Sequence, residues 1–159
     1  MFNYQVLIEY EGTNFVGWQK QKYGHSVQQT IEKAFSKILK EKITLYGSGR
    51  TDSGVHAIAQ SAHFNLQSKI KNEFLTLNSV NFFLNKKNIS ILEIKKKNLN
   101  FHARFSAKKR EYVYKIINRV APLSLEFNRA WNVRSNLNLS LIKKAANLLE
   151  GKKDFSTFR

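Results

Sequence analysis

The apolar residues switch repeatedly between a strand period and a helix period along the chain. Val6, Ile8 and Tyr10 alternate within Tyr4 to Tyr10, the spacing of a half-buried strand. Val27, Ile31, Ala34, Phe35, Ile38 and Leu39 then recur at helical spacing, with Ser26 and Gln29 placed as a capping box. Ile43 to Tyr46 and Ile58 to Phe64 read as two strands flanking a glycine-rich loop. Ile70, Phe74 and Leu77 suggest a second helix running to Leu84, and Ile89 to Ile94 a further strand. Tyr112, Tyr114 and Ile116 alternate along another strand, and Leu141, Ile142, Ala145, Leu148 and Leu149 form a helical stripe stopped by Gly151. This order predicts an α+β fold, a mostly antiparallel mixed sheet with helices packed on one face. With no repeat, linker or composition break, residues 1–159 read as a single domain of ordinary size.

Charge narrows the partners. The formal net charge is +16, from 27 Lys plus Arg against 11 Asp plus Glu, which favours a polyanion. Nucleic acid comes first and an anionic membrane second. The plainer alternative is that lysine and asparagine abundance from genomic base composition alone explains the excess. The seven arginines are more selective, because Arg50, Arg104, Arg110 and Arg159 all fall in specialised segments where a planar fork suits phosphate or base contacts. Cysteine is absent, which excludes disulfides and Cys-based zinc sites and fits a reducing cytoplasm. The start lacks a signal-like pattern and no apolar run reaches membrane-spanning length, so a soluble, cytoplasmic protein without a membrane partner is expected.

Aspartate occurs only twice, and one copy lies inside Tyr46-Gly47-Ser48-Gly49-Arg50-Thr51-Asp52-Ser53-Gly54-Val55-His56-Ala57. Glycines at 47, 49 and 54 permit left-handed backbone and close approach of a ligand, while Arg50 and Asp52 place a cation and a carboxylate on one short loop between rigid elements. A metal site has little support, since His25, His56, His63 and His102 show no compact ligand spacing. A phosphate cradle is possible, but the loop lacks the Lys-Ser/Thr ending of a P-loop. Carboxylate chemistry is the third reading: Asp52 attacking an electrophilic carbon or stabilising a developing cation. A structural turn, with Asp52 bonded to nearby amides, satisfies the same residues.

Gly49-Arg50-Thr51-Asp52-Ser53-Gly54-Val55-His56-Ala57 closely resembles the Gly-Arg-Thr-Asp-Ala-Gly-Val-His signature of the tRNA pseudouridine synthase A family. Tyr10-Glu11-Gly12-Thr13-Asn14-Phe15-Val16-Gly17-Trp18-Gln19-Lys20-Gln21 is similar to that family's Tyr-Asp-Gly-x-x-Phe-x-Gly-Trp-Gln-x-Gln segment. Val27-Gln28, Phe101 to Ala107, the Tyr112-x-Tyr114 pair and Asp154-Phe155-Ser156-Thr157-Phe158-Arg159 match further motifs in order. The resemblance spans the whole chain.

It implies an isomerase that converts uridine to pseudouridine in the anticodon arm of tRNA, at positions 38, 39 and/or 40, needing no cofactor and acting as a homodimer. The family's catalytic aspartate falls on Asp52 and its active-site tyrosine on Tyr112, which would stack on the extruded uracil. Arg50 would fill the gap left by that base or hold flanking phosphates; a plain Arg50–Asp52 surface ion pair is the simpler alternative. Phe15 and Trp18 are expected to pack the loop against the core, Tyr114 to be core, His63 to be structural, and His56 to orient the loop or contact RNA. The runs Lys86-Lys87, Lys95-Lys96-Lys97, Lys108-Lys109 and Lys152-Lys153 can follow an RNA backbone or form solvated faces. Family members are longer, with a second half that carries a Met-Val-Arg arginine facing the aspartate. The expectation is therefore an N-terminal catalytic and RNA-binding portion whose usual C-terminal half is absent, either active or a truncated, inactive tRNA-binding fragment. Glu11 and Ser53 replace the usual Asp and Ala, and no Pro follows Leu84.

Overall fold

The computed structural model describes residues 1–158, leaving Arg159, one of the arginines singled out above, outside the described residues. The chain divides into two compact units, Met1–Glu111 and Tyr112 onward. In the first, β1 (Phe2–Tyr10), α1 (Val27–Leu39), β2 (Tyr46–Gly47), β3 (Ala57–Leu66), α2 (Glu73–Leu84) and β4 (Ile89–Lys97) follow in that order. The sheet runs β2-β3-β1-β4 and every pairing is antiparallel, so the α+β expectation holds.

Strand alternation sorts the side chains of β1 into two faces. Tyr4, Val6, Ile8 and Tyr10 are buried, and across the ladders Tyr4 meets Phe64 while Val6 meets Ala62 and Ile94. Val27, Ile31, Ala34 and Phe35 of α1 and Val80 and Leu84 of α2 close over this face and complete one core. Each fully buried Val, Ile, Leu or Phe among them contributes about 1.5–3 kcal/mol by leaving water.

Two boundaries differ from the sequence pattern for reasons visible in the hydrogen bonds. Ile43 and Leu45 are buried as a strand would bury them, yet the ladder holds only Tyr46 and Gly47. The backbone of this stretch is satisfied by α1 instead: Ile43 N–H donates to Ser36 Oγ (2.9 Å), Leu45 N–H to Glu32 Oε1 (2.9 Å), and the Leu45 carbonyl accepts from Gln28 Nε2 (2.9 Å). Ile70 lies ahead of α2, its N–H donating to the buried Tyr4 hydroxyl (3.0 Å), and Asn72 caps the helix by accepting from Leu75 N–H (2.9 Å).

The second unit pairs β5 (Ile116–Asn118) in parallel with β6 (Trp131–Val133), a strand the sequence pattern did not reveal, and adds α3 (Leu139–Asn147), capped by Asn138. Tyr112 and Tyr114 precede the ladder instead of lying in it, and Tyr114, expected in the core, is 92% exposed. A two-stranded ribbon has no second layer to close over them. Leu141, Ile142 and Ala145 of the stripe lie in α3 while Leu148 and Leu149 fall in the turn after it, and all five are exposed. Asp154 Oδ1 accepts from Ser156 N–H (2.9 Å) and from its hydroxyl, a local turn that holds the Asp154 carboxyl below its ordinary range.

The far face of the first unit's sheet is partly covered. Residues 98–106 cross it, tied by Asn3 Nδ2 to the carbonyls of Asn98 (3.1 Å) and Phe101 (2.7 Å). His63 is 3% exposed beneath this crossing, stacked on Tyr46 (5.1 Å), edge-on to His102 (4.5 Å), and accepting at Nδ1 from Ala103 N–H (3.2 Å). Burial first, and the neighbouring His102 second, push His63 below the ordinary imidazole value of about 6.5. The unfolded chain then binds the proton more tightly than the folded one. The stability His63 supports is complete above about pH 6.5 and declines as pH falls from there toward its lowered folded value, with a slope of at most ~1.4 kcal/mol per pH unit. Urea unfolding at pH 7.5 and 5.5 checks this: the difference should shrink in His63→Asn, whose Oδ1 keeps the Ala103 bond without titrating.

Candidate active site

The loops after β1 and β2 meet at the end of the sheet where Tyr10 pairs with Ala57. Residues 47–56 are held there from both sides. From the first loop, the Tyr10 hydroxyl bonds Thr51 Oγ1 (2.8 Å), Trp18 N–H donates to the Thr51 carbonyl (3.0 Å), Ser53 Oγ donates to the Phe15 carbonyl (3.0 Å), and Gly12 N–H donates to His56 Nδ1 (2.9 Å). From the sheet, Ser48 N–H donates to the Ser61 carbonyl (2.8 Å) and Gln60 Nε2 to the Gly49 carbonyl (2.7 Å). Phe15 and Trp18 are buried, as expected of packing residues.

Close packing explains the glycines better than backbone freedom does. Of positions 47, 49 and 54, only Gly54 takes a left-handed φ, +79°. A Cβ on Gly47 would lie 2.7 Å from the Trp18 ring, and one on Gly12 would lie 2.0 Å from the Val55 carbonyl oxygen. The Val27-Gln28 pair has a similar local reason. Val27 and Gln28 N–H groups donate to the carbonyls of Gly17 (3.2 Å) and Trp18 (3.0 Å), and Gln28 Oε1 accepts from Lys20 N–H (2.9 Å), so the start of α1 anchors the first loop.

His56 sits among these contacts as an acceptor. With Nδ1 occupied by the Gly12 N–H, the neutral ring carries its proton on Nε2. Glu11 Oε1 lies 3.5 Å from Nδ1, and hydrogen bonds led by the Thr13 hydroxyl hold the Glu11 carboxyl below its ordinary range. The arrangement makes His56 a loop-orienting residue.

Arg50 and Asp52 project from this pinned backbone and are both exposed. No ion pair joins them, and among the described residues the Asp52 carboxylate enters no ion pair or side-chain hydrogen bond; the turn at this point is closed by the Asp52 backbone carbonyl, which accepts from Val55 N–H (3.3 Å). The backbone is fixed while the carboxylate stays available. Tyr112 belongs to the second unit and is 65% exposed. No three of the His, Asp and Glu side chains among the described residues gather as a metal ion would need, and no helix there is long and apolar enough to cross a membrane.

Sequence reasoning missed how Arg110 contributes. Its Nε (3.0 Å) and Nη2 (2.8 Å) both donate to the Ser48 carbonyl, and Nη2 also reaches the Arg104 carbonyl (2.9 Å). A planar fork is needed for that geometry, and an arginine closing a basic run was the available signal. Arg110→Ala should speed amide exchange across residues 48–52 about fivefold, the equivalent of ~1 kcal/mol. Lysine at this position should restore only part of the protection, as read by exchange mass spectrometry.

The site is a fixed loop that offers a carboxylate and an arginine on a strongly basic scaffold. The tRNA pseudouridine synthase family model matches residues 6–106, and the chain belongs to that family. It is 57% identical over 159 residues to tRNA pseudouridine synthase A of Pelagibacter ubique (strain HTCC1062), covering 100% of this chain and 65% of that protein. It is 46% identical over 157 residues to tRNA pseudouridine synthase A of Ehrlichia canis (strain Jake), covering 98% and 64%. The protein of the same name from Anaplasma phagocytophilum (strain HZ) is 43% identical over 158 residues, covering 98% and 64%. The chain thus spans slightly less than two thirds of the length of these curated relatives.

Proposed function

We propose that this chain carries the reacting carboxylate of a tRNA pseudouridine synthase, and that Asp52 isomerises uridine to pseudouridine in the anticodon arm, at positions 38, 39 and/or 40. The observation that carries the reading is the uncommitted carboxylate on a loop whose backbone is pinned from two sides. A catalytic group needs such a support, because a rigid loop delivers the oxygen without reorganisation at the moment of reaction. The family match and the relatives' names support uridine in tRNA as the substrate.

A base must leave its stack before a side chain can reach its glycosidic carbon, at roughly a few kcal/mol. Arg50, two residues from Asp52 and unpaired with it, fills the vacated space or holds the flanking phosphates. Tyr112 stacks on the extruded uracil. Asp52 then breaks the N-glycosidic bond by adding to the sugar C1′, by adding to uracil C6, or by assisting a glycal route, and the base turns and rejoins through C5. Atoms balance without an external group, and no cofactor is invoked. The setting is the cytoplasm, with tRNA as partner, and a homodimer if the family's C-terminal half is not needed for it.

Incubating the purified chain with unmodified tRNA and mapping pseudouridine tests the proposal. Product at the anticodon-arm uridines supports it. Retention of tRNA with no product identifies a binding fragment without turnover and overturns the enzymatic reading.

A further inference from the structure

Beside the Asp52 loop runs the segment 19–25, of which only the Lys20 N–H entered the contacts above. Its backbone is built, with Val16 N–H donating to the His25 carbonyl (3.0 Å), Gln21 Nε2 to the Val16 carbonyl (3.1 Å), and Lys20 N–H held by Gln28. Gly24 turns the chain at φ +81°, where a Cβ would strike the Val16 side chain at 2.4 Å. The loop is attached directly to the site, since a Cβ on Gly17 would lie 2.7 Å from the Thr51 carbonyl and 3.2 Å from the Asp52 carbonyl carbon. Out of this ordered turn Tyr23 projects 77% exposed, with Lys22 Nζ 5.3 Å from its ring centre, and Lys20, Lys22 and His25 are exposed around it.

Charge selects the partner. No carboxylate occurs between Glu11 and Glu32, and Asp52 is the sole one between Glu41 and Glu73, so apart from Glu11, which is bonded by Thr13 beside His56, the two loops at this end of the sheet present cations with one further acid among them. An exposed ring interleaved with ammonium groups suits an unstacked base and its phosphates. A protein partner with acidic side chains would use the lysines but leave the ring without a role.

We propose that Lys20, Lys22 and Tyr23 form an RNA-contacting lip, in which Tyr23 stacks on an unpaired base of the anticodon loop near the target uridine and the two lysines hold adjacent phosphates. This rests on the tRNA reading of the site. It also accounts for a rigid turn ending in a solvent-exposed aromatic.

The test is binding of the full chain to a hairpin RNA bearing an anticodon arm and to a blunt RNA duplex, across a salt series. Tyr23→Ala should weaken hairpin binding roughly 5- to 150-fold, leave the duplex and the salt slope unchanged, and be rescued by Tyr23→Phe. The Lys20→Ala/Lys22→Ala pair should lower the salt slope by roughly 1.4–1.8 on both RNAs. Wild-type hairpin affinity in Tyr23→Ala, or equal losses on hairpin and duplex, would overturn the proposal. Turnover by the wild type with no Tyr23 effect removes the lip and leaves the catalytic reading standing. A Tyr23 effect with no turnover does the reverse.

Discussion

On the proposed function, Asp52→Asn should leave the protein folded and bound to tRNA but lower pseudouridine formation by on the order of 10³-fold or more. Folding is spared because the native carboxylate is exposed and makes no ion pair or side-chain hydrogen bond that the amide would lose. Binding is spared, or tightened, because removing a negative charge from a basic surface relieves repulsion toward phosphates. Turnover is lost whichever of the three routes operates, since an amide supplies neither a carboxylate nucleophile nor a full negative charge beside a developing cation. The loss should appear in kcat with little change in KM, which marks a group used in the transition state alone. Release of tritium from uridine C5, which loses its hydrogen when the base rejoins there, measures it directly. Turnover at the wild-type rate in Asp52→Asn would remove this residue from the chemistry.

Which parts of this protein were legible beforehand follows from the range over which each signal acts. α1 and β1 were readable because their buried residues repeat with a period that a single stretch of sequence displays, whereas β3 buries Ala62, His63 and Phe64 in succession and exposes Ile58. The stretch around Ile43 was misread as a strand, since its alternation is real but its backbone partners are Ser36, Glu32 and Gln28, three side chains on a helix. Tyr112 and Tyr114 alternate as a strand should, yet alternation cannot say whether another layer exists to cover them. Asp52 and Arg50 stood out by composition and motif. The latches that fix them, Tyr10 to Thr51, Gly12 to His56 and Arg110 to Ser48, join residues 41 to 62 positions apart, and no local pattern encodes such pairs. Arg110 therefore looked like an RNA-facing charge when its fork is spent on a carbonyl.

Gly12→Ala should damage the site more than its size suggests, and comparison with Gly54→Ala shows why. At Gly54 the left-handed φ of +79° is the whole objection, because a Cβ there meets nothing within 4 Å, so alanine should cost about 1–2 kcal/mol. At Gly12 the backbone is not left-handed, but a Cβ would lie 2.0 Å from the Val55 carbonyl oxygen and 2.7 Å from its carbon. Both obstacles are main chain, so no rotamer relieves them and one loop must move. Overpacking of this kind costs about 1–3 kcal/mol, and at roughly 2–4 °C per kcal/mol Tm should fall by about 2–12 °C. The displaced segment is the one carrying Asp52, whose backbone carbonyl already accepts from Val55 N–H (3.3 Å). A shift of about 1 Å in a reacting group costs about 10²-fold in rate. Gly12→Ala should therefore lose about two orders of magnitude in turnover at a temperature where it is fully folded, while Gly54→Ala, of similar stability, keeps most of its activity. Equal activity in the two variants, measured well below both melting points, would mean that the Gly12–Val55 contact does not hold the carboxylate in place.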